Sequence, residues 1–142
     1  MSTYNAIKYN VSFANAGGLK LIKTLTASSD STLSFVDGSS DVVLDNTYKE
    51  YLFIFNNIHP STYSSLQFQG STNGGSSYGV NITSTVIQTT HDESGSSTDF
   101  TYETGLDLAN STNFQYIGNG EAADNDAGSS GFLRLLDPSN TT

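Results

Sequence analysis

The side chains with the most chemical reach in this chain are two histidines, His59 in "NIHPS" and His91 in "THDES", and the carboxylates near them. His91, Asp92 and any of several serines spell the parts of a nucleophilic triad. Such a triad needs its nucleophile, base and orienting acid to converge from different elements, and neighbours along a strand or loop do not face one another. With 22 serines in 142 residues the coincidence is expected, and no Gly-x-Ser-x-Gly elbow occurs. His59, beside Pro60, reads as a turn histidine bonded to a loop carbonyl. Asp99, Glu103 and Asp107 are spaced by four and would share a face of an extended segment, as a glycosidase's paired carboxylates must. The chain has no Trp to build a sugar-cleaving platform, and solvated acids on a chain of pI about 4.2 are the simpler reading. No enzymatic activity is expected.

Two binding chemistries remain. "DNDAGSSG" sets Asp124 and Asp126 at alternate positions before a Gly, as calcium loops do, but lacks the next alternate oxygen ligand and the distal bidentate Glu. Ca²⁺ is the one cofactor the sequence raises. Tyr63, Tyr78, Tyr102 and Tyr116 are of the type that stacks on sugar rings while Asn- and Asp-rich loops supply hydrogen bonds; core or interface positions account for the same tyrosines. A carbohydrate-binding module is the functional reading from this class, with a host surface glycan as the ligand. "STNGGSSY" could suggest a phosphate loop, but no Lys and no helix follow it, and Tyr78 to Ile87 is alternating and β-branched.

The elements that would position these groups are strands. No window holds apolar residues at helical spacing. "STLSFV" from Ser31 alternates, and "LKLIKTLTAS" from Leu19 reads as an extended arm or edge strand. "EYLFIFNNI" from Glu50 is apolar on both faces and asks for cover on two sides, as a central strand does. "LQFQGS" and "YGVNITSTVI" flank an Asn-Gly turn that predicts a hairpin. "QTTHDESGSSTD" reads as a long polar loop, "FTYETGLDL" and "NFQYIG" as further strands, residues 119–131 as an exposed loop, and "FLRLLDPS" as a last strand. These features predict an all-β fold: a single β-sandwich of jelly-roll type over residues 19–142 with long polar loops, or a small barrel, preceded by an N-terminal arm over residues 1–18. The arm, with Tyr4, Ile7, Tyr9, Val11 and Phe13, is either a docking segment for another protein or the first edge strand. The stop at "NTT" just after a turn leads to the expectation that the chain continues past Thr142 or that a neighbouring chain completes its last edge.

Composition narrows the setting. Fourteen acids against five scattered bases give a net charge of −9, which opposes contact with nucleic-acid phosphates. The chain has no Cys, which excludes disulfides and thiolate zinc sites. The sequence carries neither a secretory leader pattern nor an apolar run long enough to span a bilayer. Ser and Thr make up 39 of the residues, so the surface is neutral and polar more than charged.

The runs "LIKTLTASSDSTLSFVDG", "YKEYLFIFNNIHPST", "LQFQGSTNGGSSYG", "ETGLDLANSTNFQYIGN" and "SGFLRLLDPSNTT" resemble a family of virion-associated structural proteins of bacteriophages, especially marine and cyanobacterial ones. "FNNIHP" and "STNGGSSY" carry most of the likeness, which extends from about Tyr4 to Thr142. The resemblance implies a virion protein made in the host cytoplasm without a signal peptide and carries over no catalytic residue. The implied roles are a tail fibre, a spike or its adaptor, or a capsid decoration protein, with other virion proteins as partners and a homotrimer as the expected assembly.

Overall fold

A computed structural model describes residues 18–118, 120, 123 and 128–139. Within them the protein is all-β. Six strands are present and no helix: β1 (Glu50–Ile58), β2 (Gln67–Phe68), β3 (Ile87–His91), β4 (Thr98–Tyr102), β5 (Gln115–Tyr116) and β6 (Ser129–Leu136). They form three two-stranded antiparallel sheets, β1 with β6, β2 with β5 and β3 with β4.

The β1–β6 ribbon is the longest. Its register sets Tyr51 opposite Leu135, Leu52 opposite Arg134, Phe53 opposite Leu133 and Ile54 opposite Phe132, and a bulge interrupts it between Phe55 and Ile58. Asn57, at φ 51°, sits in the bulge and donates its amide to Ser130 Oγ at 3.0 Å. Because side chains alternate across a ladder, Tyr51, Phe53, Leu133 and Leu135 share one face, and Leu52, Ile54, Phe132, Arg134 and Leu136 share the other. The first face has a cover. Phe35 meets Phe53 edge to face at 5.3 Å, Tyr48 meets Tyr51 likewise at 5.8 Å, and the Tyr51 hydroxyl donates to the Asp45 carbonyl at 2.8 Å. Val42 and Tyr51 are the buried apolar side chains among the described residues.

Several segments differ from the sequence-based expectation. "STLSFV" and "LKLIKTLTAS" join no ladder; Phe35 serves as cover for β1 instead. Among the described residues β1 has cover on one face where two were expected. The Asn-Gly segment turns as expected, with Gly74 and Gly75 at φ 67° and 79° and Gly79 donating to the Gly70 carbonyl at 3.2 Å. Its arms do not pair as strands, however, since β2 pairs with β5. The polar loop after Ile87 is instead a hairpin: Thr89 and Thr90 are β-branched and suit an exposed ribbon, and Asp92 closes the turn.

Candidate functional site

The chain from Ile82 to Ser111 doubles back on itself beyond the β3–β4 ladder. Glu103 donates to the Val86 carbonyl at 2.9 Å, Ser84 to the Leu108 carbonyl at 2.9 Å, and Ile82 and Ser111 exchange bonds of 2.8 and 3.0 Å. Between these contacts residues 103–107 make a tight turn in which Leu106 donates to the Glu103 carbonyl at 3.2 Å. The next segment enters β5, where Ile117 donates to the Leu66 carbonyl at 3.0 Å.

Gln115 ties the three segments together. It is 5% exposed, and a buried amide must have its donors and acceptor matched. Its Nε2 donates to the Leu106 carbonyl at 3.1 Å and to the Tyr116 carbonyl at 2.8 Å, while its Oε1 accepts from the Ser84 hydroxyl. Ser84 Oγ in turn accepts from the Leu108 amide at 2.8 Å.

This node frames a groove of about 680 Å³ whose walls include Gln67, Asp107, Thr112, Asn113, Phe114 and Tyr116. Leu106 and Tyr116 also wall a second groove of about 260 Å³ that runs along Val86, Ile87 and Ile117. The larger groove combines two aromatic rings with a carboxylate, two amides and a hydroxyl. Such a set can stack against the apolar face of a sugar ring and bond its hydroxyls.

Of the four tyrosines proposed from sequence, Tyr116 lines the groove. Tyr102 reaches it indirectly, its hydroxyl donating to the Asp107 carboxylate, a bond that raises the Tyr102 pKa. Tyr63 and Tyr78 line neither groove: the Tyr63 hydroxyl lies over Gly120 and that of Tyr78 against Gly75. Phe114, Gln67 and Asn113 were not anticipated, and an aromatic inside the polar run "STNFQ" was the available signal.

Tyr4, Ile7, Tyr9, Val11 and Phe13 of the arm, and Asp124 and Asp126 of the calcium pattern, lie outside the described residues. Among the described residues no group of three or more His, Asp or Glu side chains could hold a metal. The Asp92 carboxylate is taken up by its own turn, accepting from the Ser97 amide at 2.9 Å and from the Ser94 and Ser96 hydroxyls at 2.8 and 2.7 Å. Asp99 accepts from the Phe100 amide at 2.9 Å and from the Thr101 hydroxyl. Asp92, Asp99 and Asp107 thus each bond local partners.

A second surface stands out for its exposed apolar side chains. On the uncovered face of β1–β6, Ile54, Phe132 and Leu136 are 70%, 71% and 68% exposed. Arg134 crosses this face to Glu50 in a two-pronged ion pair of 2.7 and 2.8 Å, which holds the Glu50 carboxyl below its usual range and raises Arg134. Lys49 and Asp137, at the same end, pair at 2.9 Å.

Compared with known proteins, the chain matches no family model, no curated protein and no solved structure.

Proposed function

We propose that the chain is a non-enzymatic structural component of a bacteriophage virion, a part of a tail fibre, a spike or its adaptor, whose sheets are completed by neighbouring copies. The observation that carries this reading is the distribution of apolar surface. Two apolar side chains are buried among the described residues while fourteen large ones are exposed. A chain of 142 residues has enough length to bury about two-thirds of its unfolded surface, and its two-stranded ribbons are marginal alone. Contact with further copies supplies the missing cover, and the jelly-roll sandwich expected from the sequence would be assembled from such ribbons. A trimer suits this use, because each copy then has two neighbours. The virion setting rests on the sequence resemblance; capsid decoration is the neighbouring role.

Particles banded on a density gradient and probed with antibody against this chain should carry it in many copies, and its absence from intact particles would overturn the virion reading. Removing residues 1–18, the proposed docking arm, should abolish incorporation while leaving the remainder folded.

The groove beside Tyr116 favours a second reading, a carbohydrate-binding module that recognises a host surface glycan. A glycan array on which Tyr116→Ala and Phe114→Ala lose the signal would support it, and an array without hits would end it.

A further inference from the structure

We infer that the uncovered face of the β1–β6 ribbon is the contact between copies of this chain, with Ile54 and Phe132 packing near the rotation axis against the same residues of the next copy. The inference rests on the assembly reading above and assigns the surface that performs it.

Three features point to a second copy. The first is chemistry: Leu52, Ile54, Phe132 and Leu136 share one face by register, on which the charges of Glu50 and Arg134 neutralise each other, and the other face of these strands already has its cover. The second is charge. The strands carry one acid and one base, Glu50 and Arg134, which pair with each other. The net charge of −9 therefore lies wholly outside β1 and β6. Two copies of so acidic a chain repel each other over most of their surfaces, and this neutral face lets them approach without that penalty. A basic partner drawn by charge would instead settle on the acidic remainder. The third is area. Three large apolar side chains about two-thirds open offer on the order of 400 Å², half of the roughly 800 Å² per partner in a stable interface. Leu52 extends the patch, and the Glu50–Arg134 pair that crosses it carries no unpaired charge.

The absence of Cys gives a direct test on the full chain. Under mild oxidation Ile54→Cys should give a disulfide-linked species at twice 15.1 kDa, because a thiol near a rotation axis meets its own copy. Leu19→Cys, at a position still more exposed than Ile54 but outside both strands, should not. Phe132→Glu should reduce the native mass in solution to that of one chain while the sheet signal in circular dichroism persists; if that signal is lost, the Ile54→Cys cross-link decides. An assembled wild type that Phe132→Glu leaves assembled, with no cross-link through Ile54→Cys, overturns this face and leaves the assembly reading standing. A wild type that sediments as one chain overturns both.

Discussion

Ile54 and Phe132 stand directly opposite each other across the β1–β6 ladder, and about seven-tenths of each side chain is open to solvent. Three residues earlier on β1, Tyr51 on the opposite face is 3% exposed. The same ribbon is thus finished on one side and unfinished on the other, and the functional account follows from that asymmetry.

The finished side should be sensitive to small changes. Tyr51→Phe removes the donor to the Asp45 carbonyl and should cost about 1 kcal/mol. Tyr51→Ala empties a buried site and should cost about 3 to 5 kcal/mol, enough to unfold a domain with so few buried side chains. Urea unfolding at a fixed protein concentration measures both, since assembly makes stability concentration-dependent. Equal costs would show that the ring does not anchor the cover.

Gln115 should behave as a structural hub. Gln115→Leu keeps the approximate volume but leaves the Leu106 and Tyr116 carbonyls and the Ser84 hydroxyl without their partner, so a loss of about 2 to 3 kcal/mol is expected. The groove should open with it, read as faster amide exchange at Leu108. Unchanged exchange there would contradict the hub.

The two turn glycines should differ from each other. Both have positive φ, which costs any residue with a Cβ about 1 kcal/mol. At Gly74 a Cβ meets open space, whereas at Gly75 it would lie 2.9 Å from Val36 Cγ2. Gly75→Ala should therefore destabilise more than Gly74→Ala, by denaturant midpoint, and the reverse order would contradict the packing of Val36 on this turn.

The β3–β4 turn should loosen in acid. The Ser97 amide, then the Ser96 and Ser94 hydroxyls, lower the Asp92 pKa to about 2, below the roughly 3.9 of an unfolded aspartate. A lowered folded value means that the carboxylate stabilises the turn fully above pH ~4 and that this contribution is lost as pH falls through about 2. The Ser97 amide shift in NMR should titrate with a midpoint about 2, and Asp92→Asn should abolish the titration. A midpoint near that of a free aspartate would show that the cradle does not form.

Much of this was legible in the sequence where one residue type dominates the physics. "EYLFIF" announced β1, "FLRLL" announced β6, and the paired glycines announced a turn. Pairing was not legible. β2 finds β5 across a long sequence separation, and the register of 82–86 against 103–111 depends on the Gln115 amide, which leaves no periodic trace. The β3–β4 hairpin was half legible: Phe100 and Tyr102 mark β4, whereas β3 is polar after Ile87 and the turn is held by one aspartate. The groove was half legible: Tyr116 was named, whereas Phe114 and Asp107 enter it only through that register.

The most direct measurement is the mass of the native chain by sedimentation over a range of concentrations. The account predicts a stable species at three times 15.1 kDa that persists on dilution. A monodisperse species at 15.1 kDa at every concentration would contradict it, because the apolar face of β1–β6 would then remain in water.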